Sequence, residues 1–294
     1  MSEPLFIFST PRLLTSQACA MIGNHPDMVG LAETNLFAAE TYEELEAMYL
    51  IDTRFQHGLL RTIADFGLGG QTEENIELAQ AWLIENESVK TVDIFKDIMA
   101  LVEPKHAIDT SVLYVYRSGV IGRIKKAFPD AYYLHLAMHP RVSCESIYKT
   151  RKAATESHLG RQIGQDMALK PETMWLKPHV QILAAMETVP ESHKMFLRGE
   201  DLLSDPNPNL LKIAEWLGIR TDEEAIDAMM KPEESPFAGY GPENAPLGND
   251  PHFLENPEFV PYVNHDLDLD SPMSWDDTLV FDATIKELAR YFGY

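Results

Sequence analysis

The chain is poor in three things, and each scarcity narrows what it can do. It holds only two cysteines, Cys19 and Cys144, in 294 residues. That is too few for a disulfide framework, and neither sits at a Cys-x-x-Cys or Cys/His spacing that would hold zinc. Both read as small buried side chains, and no metal is expected. It lacks any run of about eighteen apolar residues, and its first residues show no basic region followed by an apolar stretch and a small-residue cleavage site. The expectation is a soluble, cytoplasmic protein with no membrane insertion. Bases are scarce as well: 24 Lys and Arg stand against 46 Asp and Glu, for a net charge of −22. Such a field repels nucleic acid and anionic membranes, so neither is an expected partner, and a polyanionic ligand would need a local basic pocket. No internal repeat and no low-complexity tract is present.

What the chain does have is an alternation of apolar runs with helical pattern. With 45% hydrophobic residues it can bury a sizeable core, and we read residues 1–294 as one α/β domain. Leu5-Phe6-Ile7-Phe8 is a short apolar run bounded by Pro4 and Pro11, which suits a buried parallel strand, and Thr15 to Asn24 reads as the helix that follows. Helical periodicity with breaks at Gly67, Gly69 and Gly70 marks about 41–101 as a helical insertion that carries no nameable chemistry. Further strands are expected at His106–Asp109, Tyr132–Ala137 and Met195–Leu197. Between them lie a helix capped by Ser118, a helix after His139-Pro140 and a helix over Pro171–Val189. Strands alternating with helices predict a central parallel sheet with helices on both faces. A segment rich in proline and glycine spans Pro236 to Pro251. An acidic segment of about 255–294 follows, whose Asp266, Asp268, Asp270, Asp276 and Asp277 read as a solvated face.

The most specific motif is Leu197-Arg198-Gly199-Glu200-Asp201-Leu202, then Asp205-Pro206, then an amphipathic stretch ending Trp216-Leu217-Gly218. It resembles the sulfotransferase family, in which a late strand runs into an Arg-x-Glu-Asp-Leu segment, an Asp-Pro turn and a helix closing on Leu-Gly. The resemblance implies a P-loop-like sulfotransferase fold and, as co-substrate, 3′-phosphoadenosine 5′-phosphosulfate. It also implies a sulfuryl group moved to a hydroxyl of a small-molecule or carrier-linked acceptor, without a metal. In that frame Pro11-Arg12-Leu13-Leu14-Thr15-Ser16 is the donor phosphate loop, with Arg12, Leu14, Thr15 and Ser16 as its binding residues. The family usually has Ser-Gly where this chain has Leu13-Leu14.

The same resemblance makes Tyr132 to Ser146 the clamp for the donor 3′-phosphate. Ser146 is kept, but Met138 stands where an arginine is usual. Arg141, three residues on, is either its substitute or an exposed loop residue. Gly241, Asn244 and Gly248 occupy the place of a glycine-rich donor-binding loop. Two residues compete as general base. Glu33, in Leu31-Ala32-Glu33-Thr34-Asn35, matches the acidic residue of bacterial and carbohydrate sulfotransferases. His25 matches the histidine of cytosolic eukaryotic ones, but its His-Pro pair also suits a structural turn. The active-site lysine of many relatives is absent from Asp109-Thr110-Ser111-Val112. Two other readings stay open: a catalytically lapsed binding protein of the same fold, and an ATP-dependent phosphoryl transferase, for which the loop lacks the Gly-Lys pair.

Overall fold

In the first strand, β1 (Leu5–Phe8), side chains alternate between two apolar layers: Phe6 and Phe8 enter one core, Leu5 and Ile7 the other. Only a strand covered on both faces behaves this way. The computed structural model describes residues 3–10, 14–156, 170–263 and 267–294. The other strands are β2 (Met28–Gly30), β3 (His106–Asp109), β4 (Tyr132–Ala137) and β5 (Lys194–Arg198). They form a parallel sheet in the order β2-β3-β1-β4-β5. The parallel sheet flanked by helices agrees with the expected class.

Helices α1 (Thr15–Gly23), α9 (Gly199–Ser204), α10 (Pro206–Leu217) and α11 (Glu223–Met229) cover the Leu5 and Ile7 face. The Phe6 face is covered by α3 (His57–Leu68), α4 (Glu73–Glu85), α5 (Thr91–Val102), α6 (Val120–Ala127) and α8 (Pro171–Met186), with α2 (Tyr42–Tyr49) beside them. Its centre is an aromatic cluster in which Phe6 lies within 6.1 Å of the rings of Phe37, Phe95, Phe128 and Tyr133. The stretch 41–101 therefore supplies much of this core. α10 ends on Gly218, left-handed at φ 69°, as the Leu-Gly motif predicts.

Three expectations need correction. β2 was not foreseen; α1 lies so close to it that a Cβ on Gly30 would stand 2.7 Å from the Cys19 carbonyl oxygen. α6 is not capped by Ser118: its N-cap is Gly119, at φ 84°, with no side-chain cap. The acidic C-terminal segment is not solely a solvated face. Asp268, Asp270, Asp276 and Asp277 are exposed, but Leu269 and Met273 between them and Phe281 beyond them are buried. A helix, α12 (Ala283–Tyr291), capped by Asp282, adds Ile285 and Ala289 to the same third core with Trp175. Asp266 lies outside the described residues.

That core encloses two imidazoles. His135 of β4 and His179 of α8 face each other with Nε2 and Nδ1 2.8 Å apart, among the rings of Trp175, Phe196 and Phe292. One ring must donate and the other accept, so the accepting ring is neutral, and burial among apolar rings keeps the donor neutral as well. Burial pushes His135 down to about 3; burial, with His135 adding to it, holds His179 well below its ordinary value. Unfolded imidazoles titrate near 6.5, so below that pH the unfolded chain binds more protons than the folded one. The stability these groups carry is present above about pH 6.5 and is lost as pH falls toward their folded values. Urea unfolding at about pH 7.5, 6 and 5 should show stability falling toward about 1.4 kcal/mol per pH unit for each imidazole. The double variant His135→Leu/His179→Leu should flatten that slope; an unchanged slope would assign it elsewhere.

Candidate functional site

The chain leaves the C-terminal end of β2 through Leu31 and Ala32 and presents Glu33, Thr34 and Asn35 at the edge where ligands bind open α/β sheets. These three residues are fixed from below by Asp109, the last residue of β3. Its Oδ2 accepts from the Thr34 hydroxyl (2.7 Å) and the Tyr114 hydroxyl (2.9 Å). Its Oδ1 accepts from the Ser111 backbone N–H (2.9 Å) and hydroxyl (2.6 Å). Ser111 Oγ in turn accepts from the backbone N–H of Asn35 at 2.8 Å. Burial raises the Asp109 pKa, against the lowering by the bonds from Ser111, Thr34 and Tyr114. The segment that lacks the family lysine thus carries a different device: a buried carboxylate that anchors the Glu33 loop.

Glu33 is also gripped from above. Its N–H donates to the carbonyl of Gly248 at 2.7 Å, and α3 approaches so closely that a Cβ on Gly58 would collide with the Glu33 carbonyl oxygen. A Cβ on Gly248 would in turn lie 2.8 Å from Gly58 Cα. Three backbones meet here because two of them are glycine.

Beside this junction opens a cleft of about 200 Å³. Thr15 at the start of α1, Glu33, Asn35 and Val112 line it from the sheet side. Leu247 to Pro251 line it from the proline- and glycine-rich segment. Asp52, Arg54 and Phe55 come from the stretch 41–101, in which no chemistry was nameable from sequence. Arg54 is 67% exposed and closes on Asp52, with Nε at 2.8 Å from Oδ1. The signal for this pair was the Asp-x-Arg spacing just before α3, but nothing in the sequence tied it to Glu33.

The nominated residues separate as follows. Glu33, Thr15 and Gly248 share the cleft. Ser16 lies next to it, its buried hydroxyl accepting from the Asp250 backbone N–H at 3.0 Å. His25 is at the opposite end of β2. It is fully buried, its Nε2 2.8 Å from the Arg220 carbonyl and its Nδ1 accepting from the Asp27 N–H, as a structural turn requires. Gly241 and Asn244 do not line the cleft. Gly241 packs against Arg61, and Asn244 bonds the Glu73 carbonyl at 3.0 Å. Arg61 organises this segment: buried, it donates to Gln71, to the Leu247 carbonyl (2.9 Å) and to the Gly239 carbonyl (3.2 Å). Arg12 lies outside the described residues.

On the nominated 3′-phosphate side, α7 (Pro140–Glu156) begins after β4 and carries Arg141 and Ser146. Arg141 points its guanidinium to the C-terminal segment, donating to the carbonyls of Asp268, Ser271 and Pro272 at 2.6 to 3.0 Å. Leu14 and Met138, which replace the usual glycine and arginine, both press on the space beside Gly199 and belong to one apolar core. Two of the sequence's departures from the family pattern are therefore one packing contact.

Gly58→Ala should cost about 1–3 kcal/mol, because the atom in its way is main chain. Gly122→Ala, with nothing within 4 Å of the added Cβ, should be neutral or stabilising by up to about 1 kcal/mol. Urea denaturation of both variants checks the contrast.

The sulfotransferase family model matches residues 4–223. No curated protein matches the chain in sequence. Among solved structures, it is similar to the sulfotransferase domain from the curacin biosynthetic pathway, at 17% identity and a TM-score of 0.75, covering 100% of this chain and 98% of that one. It is similar also to the sulfotransferase domain from the Synechococcus PCC 7002 olefin synthase, at 22% identity and a TM-score of 0.74, covering 100% and 96%. At these identities the structures speak for the fold, and the family match over three quarters of the chain speaks for descent: the protein belongs to the sulfotransferase family.

Proposed function

We propose that the protein moves a sulfuryl group from 3′-phosphoadenosine 5′-phosphosulfate to an acceptor hydroxyl. The observation that carries this reading is the shared cleft of Glu33 and Thr15, which brings a carboxylate base and the N-terminus of α1 to one space. That helix start suits an anion: Leu14 at its N-cap offers no side-chain bond, and no acidic residue occupies its first turn. Thr15 and Ser16, with Arg12 as the cation, would hold the 5′-phosphosulfate, and Ser146 the 3′-phosphate. Glu33 takes the hydroxyl proton as the acceptor oxygen bonds to sulfur. The bond between sulfur and the 5′-phosphate oxygen breaks, and 3′-phosphoadenosine 5′-phosphate leaves. Among the described residues no group of three potential ligands is arranged for a metal, and this in-line route calls for none. No helix of the described chain is long and apolar enough to cross a membrane. The two similar structures bear the names of biosynthetic systems, and a biosynthetic intermediate, free or carrier-linked, is the acceptor class we favour.

A catalytically lapsed binding protein is the second reading. It is favoured by Arg141, whose N–H groups are spent on carbonyls, and by the apolar contact of Leu14 and Met138 where the family binds phosphate.

Calorimetric titration separates the two. Under the enzymatic reading 3′-phosphoadenosine 5′-phosphate binds with a Kd of about 1 μM, well below that of AMP or of ATP with Mg²⁺, and Thr15→Val weakens it. Glu33→Gln leaves that affinity intact while lowering product formation by about 10²- to 10⁴-fold. Absence of bisphosphate binding would end the donor assignment, and tight ATP binding would favour phosphoryl transfer.

A further inference from the structure

Arg54 lines the cleft together with Glu33, Asp52 and Asp250, and among the described lining residues it is the cation. It belongs to a 3₁₀ turn, Thr53–Gln56, which Asp52 caps by accepting the Arg54 backbone N–H at 3.1 Å. The turn is tied to its surroundings at two points. Asn35 donates from Nδ2 to the Phe55 carbonyl at 3.1 Å, with the Glu33 carbonyl 3.5 Å away, so one amide bridges the main chain beside Arg54 and that of Glu33. Gln56 donates to the Tyr42 hydroxyl of α2 at 2.7 Å. Two side chains of opposite charge thus leave main-chain segments that a single asparagine joins.

Asp52 occupies one edge of the guanidinium. Nε lies 2.8 Å from Oδ1 and 3.0 Å from Oδ2, and Nη2 bonds Oδ2. A guanidinium carries five N–H groups, and this pairing uses two of them. Both N–H groups of Nη1 and one of Nη2 remain, the forked end that grips an oxyanion, and no described residue takes them. The side chain is 67% exposed, so a ligand can reach that end. An exposed pair of this kind is also weak enough for the head group to shift toward a stronger anion.

The anion it meets follows from the chemistry of the cleft. An acceptor hydroxyl in position to react touches both the base and the sulfur, at about 3–3.5 Å from the sulfur. The sulfuryl group therefore lies within a hydroxyl's width of Glu33, whereas the phosphates need not. A carboxylate and a phosphosulfate repel each other at that range, and Asp52 and Asp250 add to the repulsion unless a cation offsets it. We propose that Arg54 binds the sulfuryl oxygens of the donor and stays on them through transfer. As the acceptor oxygen bonds to sulfur and the bond from sulfur to the 5′-phosphate oxygen breaks, the hydroxyl proton passes to Glu33 and Arg54 keeps all of its own. The inference rests on the reading of this cleft as the site of sulfuryl transfer, and it adds the residue that holds the transferred group.

The test is calorimetric titration of the full chain, without acceptor, by 3′-phosphoadenosine 5′-phosphosulfate and by 3′-phosphoadenosine 5′-phosphate, which differ by the sulfuryl group. Arg54→Gln, at an exposed position, should weaken the phosphosulfate by about tenfold or more and change the bisphosphate by about twofold or less. Equal weakening of both overturns the proposal, because Arg54 would then act on the shared nucleotide or on the fold. No change in either also overturns it. The transfer reading is judged on the unsubstituted chain: if that chain binds neither nucleotide, the reading falls and this assignment with it. If both bind and Arg54→Gln does not separate them, the assignment alone falls.

Discussion

Four hydrogen bonds converge on the buried carboxylate of Asp109, and through them the loop carrying Glu33 is fastened to the end of β3. A buried charge is costly unless every lone pair is met, and here hydroxyls from Thr34, Ser111 and Tyr114 and a backbone N–H meet them. The arrangement reaches further than its own contacts. Tyr114, while donating to Asp109, accepts from the N–H of Phe37, and Ser111 accepts from that of Asn35. The turn from Thr34 to Phe37, which carries one wall of the cleft into the aromatic core, is thus referenced to a single carboxylate. A loop held in this way can keep Asn35 at positive φ and the main chain of Glu33 at a fixed height above the sheet without help from a ligand.

Glycine supplies the complementary constraint from above. With Gly58 and Gly248 closing on the main chain of Glu33, helix α3 and the 236–251 segment meet the sheet edge at backbone distance. The buried guanidinium of Arg61 then ties that segment to α3 through two of its carbonyls, with no carboxylate at hydrogen-bonding distance among the described residues. Desolvation lowers its pKa to about 10, so it remains charged at neutral pH and keeps all its donors. The cleft is lined by five separate stretches of sequence, from Thr15 to Pro251.

Much of the fold could be read from sequence because its signals are local. β1, β3, β4 and β5 are apolar runs between turn residues, and α10 announces itself by Asp-Pro at one end and Leu-Gly at the other. β2 could not be read, since its three residues are extended only by pairing with β3 and by the close approach of α1. The C-terminal helix was hidden by the acids around it, although Asp282 three residues before Ile285 is a capping pattern. At the site, Glu33, Thr15 and Gly248 were nameable by resemblance. Asp52, Arg54, Asn35 and Asp109 were not, because their importance comes from what they face across the fold. The departures at Leu14 and Met138 look like two separate losses in sequence and turn out to be one apolar contact beside Gly199.

The burial of the two cysteines bears on how this molecule can be watched. Cys19, inside the layer between α1 and the sheet, directs its thiol at the Leu31 carbonyl, and Cys144 lies in the core shared by α7, α8 and the C-terminal helix. Burial pushes both thiols far above their usual range, so neither is a thiolate in the closed protein. A thiol reagent therefore reports how often each layer opens. Cys19 registers the layer that carries α1, and Cys144 the layer to which the C-terminal segment clings, so one chain holds two separate clocks for the opening of two layers.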